Sequence, residues 1–171
     1  MINIKIILFL LAGTLFFFFL LRWQGQALVS DDSPAGIVSL ELAVNKENTA
    51  NIIESWITEG VITNARNNIL IDFLFIPFYV MLFYTLCGSI SVRNSGRIAM
   101  MGVLLAFCSL IAGFFDVIEN IFMLSSTYSM FSQLTSMLTA FFAASKFILL
   151  LIALLYVAFL GPPILIKKLR G

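Results

Sequence analysis

Four stretches of this chain, residues 4–21, 69–90, 98–124 and 137–160, are apolar for long enough to cross a bilayer. A segment of about 20 mostly apolar residues spans a hydrocarbon core of about 30 Å. No water is available there, so each backbone amide must be satisfied inside its own segment, which makes every run a helix. The sequence therefore predicts an all-α, four-transmembrane-helix bundle forming one membrane domain over residues 1–171. The first run carries "LFFFFLL" and no convincing small-residue cleavage site, so it is expected to remain as an anchor.

Composition narrows what such a bundle can do. The chain is 61% hydrophobic and 11% charged, against about a quarter charged in soluble domains. A net charge of +1 without a basic stripe speaks against a nucleic-acid partner. Histidine is absent, which removes the usual imidazole base, the usual catalytic zinc and any haem held by histidine. Cys87 and Cys108 lie in apolar runs and read as packing residues. No cofactor is identifiable.

Basic residues set the expected orientation. With the N-terminus inside, the cytoplasmic side holds Lys5, Arg93, Arg97, Lys167, Lys168 and Arg170. The other side holds Arg22, Lys46 and Arg66 among Asp31, Asp32, Glu41, Glu47, Glu54 and Glu59. Both termini are therefore expected in the cytoplasm, with residues 22–68 forming an outer helical loop. In that loop Ser33-Pro34 reads as a hydroxyl N-cap followed by proline at the first helical position. Ile37, Leu40 and Val44, then Ala50, Ile53 and Ile57, recur at helical spacing. Trp56 fits a helix that lies at the membrane interface or folds over the bundle mouth. "SVRNSGR" is a short cytoplasmic turn, and the last helix is expected to end at Gly161-Pro162 before a basic tip.

The spans nevertheless contain Asp72, Asp116, Glu119 and Lys146. Ionisable groups at such depth are costly and face the bundle interior or a water-filled cavity. At about 100° per residue, Gly102, Ser109, Gly113, Asp116 and Asn120 share one face of the third span, with Glu119 at its shoulder. Asn68, Asp72 and Tyr79 share a face of the second, and Thr135, Thr139, Lys146 and Ala153 a face of the fourth. A rise of about 1.5 Å per residue puts all four charges in the outer half, with the lysine reaching toward the carboxylates. One cluster is expected. Pro77 in the second span frees a backbone carbonyl nearby.

Two readings of the cluster follow. Lys146 can neutralise Asp116 and pin the helices in register, with Asn120 and Tyr79 bonding the rest. Alternatively, the excess of three carboxylates over one ammonium calls for a proton, water, a cation or a ligand amine, because unpaired buried charges cost several kcal/mol each. Glu41 is either solvated on an amphipathic helix or aimed by a lid into the cluster. Arg66 either pairs with an outer carboxylate or marks the interface.

In order, "SLELA", "ESW", "IDFLFIPFY", "DVIEN" and "SKF" resemble a group of small bacterial four-span membrane proteins of unassigned function. The likeness runs from Ser39 to about Tyr156 and rests on Glu41, Trp56, Asp72, Phe75, Tyr79, Asp116, Glu119, Asn120, Lys146 and Phe147. Ile71 stands where the group usually has leucine. The resemblance implies a four-span bundle in the bacterial cytoplasmic membrane and no particular reaction.

The candidate ligand-binding residues are accordingly Asp72, Tyr79, Asp116, Glu119, Asn120, Lys146, Glu41 and Trp56. The first expectation is a binding protein for a membrane lipid, an amphipathic small molecule or a hard cation, since oxygen ligands favour hard ions. The second is an accessory or assembly subunit with a structural cluster and a membrane protein partner. The third is a lipid isomerase or transferase using carboxylate acid–base chemistry. Proton or ion movement ranks last, because the inner half offers no relay.

Overall fold

A computed structural model describes residues 4–161, and among these every regular element is helical. Helix α1 spans Ile4–Gln24 and continues into one turn of 3-10 helix, Gly25–Leu28. Two short helices follow, α2 (Ile37–Glu41) and α3 (Lys46–Thr58). Three long helices complete the chain: α4 (Ile62–Val92), α5 (Gly96–Ser126) and α6 (Gln133–Leu160). Helices α1, α4, α5 and α6 are each long and apolar enough to cross a membrane. The basic tip Lys167, Lys168 and Arg170, together with Pro162, lies outside the described residues.

Helices α4 and α5 have 31 residues each. At about 1.5 Å per residue that is about 46 Å, well beyond an apolar core of about 30 Å. Helix α4 begins at Ile62 rather than near residue 69 as the apolar run alone indicates. Pro77 is accommodated inside α4 without ending it.

Helices α4, α5 and α6 form the tightly packed unit, and α1 lies against α4. Small residues make the approach close, as expected where no hydrophobic force drives helices together. A Cβ on Gly102 would come within 2.5 Å of Tyr156 Oη and 2.9 Å of the Cys87 carbonyl oxygen. Gly13 takes the Phe78 ring in the same way on the α1 side. Helices α1 and α6 both border a cavity on α4, described below, so the fourth long helix does not complete a closed ring.

The segment between α1 and α4, called the outer segment after its expected side, folds over one end of the bundle. Trp56 is fully buried among Leu28, Leu40, Ile52, Ile69 and Met123, which decides for the bundle mouth over a free interfacial position. Its indole Nε1 donates to the Leu28 carbonyl and to Ser33 Oγ, both at 3.0 Å. Ser33 is thus not a helix cap. Its hydroxyl donates to the Leu28 carbonyl at 2.6 Å, and α2 starts later, after Gly36 with φ of +62°. The buried face of α3 is Thr49, Ile52, Ile53 and Trp56, while Ile57 and Val44 are exposed. Thr49 Oγ1 lies 2.8 Å from Ser136 Oγ, and the Lys46 amide donates to Gln133 Oε1 at 3.0 Å, tying α3 to the start of α6. On the other side, Asn68 Nδ2 donates to the Leu21 carbonyl and Gln24 Oε1. Among the described residues Arg66 pairs with no carboxylate. Its Nη2 donates to the Thr127 carbonyl at 2.7 Å, closing the end of α5, and its guanidinium stacks on Tyr128.

Candidate functional site

The charges that helical arithmetic puts on facing stripes of the long helices meet in the structure. Lys146 Nζ on α6 is 2.6 Å from Asp116 Oδ1 and 2.9 Å from Glu119 Oε2, both on α5. The first is an aligned hydrogen bond. The second is an ion contact without hydrogen-bond geometry, which leaves both Glu119 oxygens without a hydrogen-bond donor. Tyr79 on α4 donates its hydroxyl to Asp116 Oδ2 at 2.6 Å. Both oxygens of Asp116 are therefore satisfied, and its contacts join three helices. Asn120 Nδ2 donates to Asp72 Oδ2 at 2.6 Å, a second link between α5 and α4.

Glu41 completes the group from outside the spans. It ends α2, is 8% exposed, and places Oε2 3.7 Å from Lys146 Nζ. The lid alternative holds and the solvated one does not. Three carboxylates, Glu41, Asp116 and Glu119, now surround one ammonium, with Asp72 joined to the group through Asn120. Burial pushes the Glu41 carboxyl above the usual carboxylate range, against the pull of Lys146 and with the help of Asp116.

Beside this cluster lies a cavity of about 370 Å³. Asp72, Asp116, Asn120, Lys146, Tyr79 and Glu41 line its polar end. Its walls are apolar, from Phe18 and Leu21 of α1, Phe75 and Phe83 of α4, and Phe147 and Leu150 of α6. Arg22, Gln26 and residues before α2 border its outer end. From Asn68 to Phe83 the lining follows α4 for about 22 Å. A site of this size with few polar groups at one end suits an elongated amphiphile.

Of the eight candidate residues, six reach the cavity and two do not. Glu119 is fully enclosed behind Lys146 instead of flanking an outer mouth, and Trp56 is spent on the outer segment's core. Sequence periodicity misses the contribution of α1. Thr14, Phe18 and Leu21 line the cavity, yet that helix has no polar stripe to betray an inward face. Its one sequence signal is Thr14, a lone hydroxyl in an apolar run, which bonds back to the Leu10 carbonyl. Among the described residues no set of three carboxylate or thiol groups is arranged to hold a metal ion. The point where Asp116, Glu119 and Glu41 converge is held by the lysine ammonium instead.

Fold and site together define a polytopic helical bundle with a buried charge cluster at the head of an amphipathic cavity. No family model, curated protein or solved structure matches the chain.

Two outcomes test this geometry. Lys146→Met strands buried carboxylates and is expected to cost about 3–5 kcal/mol. Adding Asp116→Asn to it should recover part of that loss, as read by thermal unfolding in detergent. Docking of α2 should be pH-dependent. Glu41 faces Lys146 on α6, Asp116 and Glu119 on α5, and Asp72 on α4, and docking raises its carboxyl. The docked form then holds the proton more tightly, so docking is strongest in acid and weakens as pH rises past the ordinary glutamate range. Hydrogen exchange over residues 37–41 should accelerate with pH beyond the intrinsic chemical rate, and Glu41→Gln should abolish that excess.

Proposed function

We propose that this is a multi-pass protein of the bacterial cytoplasmic membrane that binds a membrane lipid or an amphipathic small molecule between α1, α4 and α6. The placement of lysines and arginines supports termini in the cytoplasm and residues 22–68 outside. One observation carries the binding reading. The charged cluster is not sealed on all sides by protein but forms the head of an apolar-walled cavity of about 370 Å³. A cluster serving only to pin helices would be enclosed like Glu119. Asp72 instead lines the cavity, and Asn120, itself buried, borders it.

A hard cation is the weaker ligand, because the ammonium of Lys146 already stands where the carboxylates meet. The full hydrogen bonding of Asp116 favours a structural role for the inner half of the cluster, compatible with an assembly subunit. Acid–base chemistry on a bound lipid would use the same carboxylates, but no nucleophile motif or phosphate-binding loop accompanies them.

Native mass spectrometry of protein extracted in mild detergent tests the proposal. A retained lipid or amphiphile is expected, and Asp72→Asn should weaken retention roughly ten- to hundredfold, the value of a charge-assisted hydrogen bond at about 1.5–3 kcal/mol. Folding should be little changed, since asparagine can still accept from Asn120. A stoichiometric protein partner in place of the lipid would support the assembly role, and a chemically altered lipid the enzymatic one.

A further inference from the structure

We infer that the molecule held in the cavity presents an ammonium group to Asp72, Asn120 and Glu41. The inference rests on the binding proposal and deepens it by fixing the chemistry of the headgroup.

The argument is one of donors and acceptors. Among the described residues, the buried side-chain polar atoms that lack a hydrogen-bond partner are Glu41 Oε2, Asn120 Oδ1 and both carboxylate oxygens of Glu119. Every one of them is an acceptor. Asn120 is completely buried and cannot relieve its carbonyl by turning over, because its amide NH₂ is required by the Asp72 carboxylate at 2.6 Å. Lys146 has three protons and is already approached by Asp116, Glu119 and Glu41. Asp72 receives one donor, at Oδ2, and nothing described donates to its second oxygen. The polar end of the cavity thus has more acceptors than donors, with Lys146, hydrogen-bonded to Asp116 alone, the one ammonium they share.

Charge points the same way. Four carboxylates against one lysine leave a formal excess of three negative charges, or two with Glu41 holding the proton that burial favours. An anionic head would meet that excess in a poorly screened setting. A neutral alcohol would satisfy one acceptor and leave the charge. An ammonium supplies three donors and a compensating charge, and its chain follows the apolar walls past Phe75, Phe83 and Leu150. Arg22 at the outer end adds a place for an anionic group elsewhere on the same molecule. The amine therefore belongs either to an aminophospholipid or to a free long-chain amine.

The test uses the full chain in mild detergent with three probes of equal chain length: dodecylamine, dodecanol and dodecanoic acid. Binding is followed by thermal unfolding and native mass spectrometry. Dodecylamine is expected to bind at least roughly tenfold more tightly than the other two, and that preference should vanish in Asp72→Asn and shrink in Glu41→Gln. Two variants on separate elements keep the result readable if one folds poorly. Equal or stronger binding of dodecanol or dodecanoate overturns the ammonium assignment while leaving lipid binding intact. Binding of none of the three, with no lipid retained from nanodiscs, overturns both. Nanodiscs of phosphatidylethanolamine and of phosphatidylglycerol separate the sources. Selective retention of the former supports an aminophospholipid, and retention of neither beside dodecylamine binding supports a free amine. Selective retention of phosphatidylglycerol overturns the inference.

Discussion

The arrangement of this protein depends on one ammonium. Lys146 stands 2.6 Å from Asp116 and 2.9 Å from Glu119, and it draws Glu41 of the outer segment to 3.7 Å. Without that charge, α5 would bring two carboxylates into an apolar interior, and α2 would be held by Leu40 in the Trp56 core with no partner for Glu41. Buried ion pairs seldom add much net stability, but leaving one partner alone is costly. The cluster thus acts less as a source of stability than as a condition on register: α4, α5 and α6 can pack only where Tyr79, Asp116 and Lys146 meet.

From that condition the cavity follows. The small residues of α5 bring it close to α4 and α6, and the hydrogen bonds of Asp116 hold the inner side of the cluster shut. Helix α1 packs on α4, so the space beside α6 remains, walled by phenylalanines and headed by Asp72 and Asn120. The outer segment covers it, anchored through Trp56 on one side and Thr49 on the other, with Glu41 reaching in between. Asp116 is therefore satisfied by the protein itself, and the acceptors Glu41 Oε2 and Asn120 Oδ1 beside the cavity are not.

Much of this was legible in the residues. Four apolar runs specify four long helices, and a period of about 3.6 places Asp116, Asn120, Asp72 and Lys146 on facing stripes. The outer segment was harder to read, because its local signals compete with long-range contacts. Ser33 has the form of a helix cap, yet it bonds the Leu28 carbonyl and receives the Trp56 indole, twenty-three positions along the chain. Glu41 looks like a solvated glutamate until the turn at Gly36 aims α2 inward. Arg66, close in sequence to Asp72, turns away to close α5. The place of α1 was not legible at all, since a helix that is apolar on every side gives no inward direction.

The most direct test is a structure determined from protein purified with its native lipids. The account predicts elongated density between α1, α4 and α6, with its head within hydrogen-bonding distance of Asp72 and Asn120 and its tail along Phe75, Phe83 and Leu150. Helix α1 closed against α6, with the phenylalanines filling the space and no density beside Asp72, would contradict it.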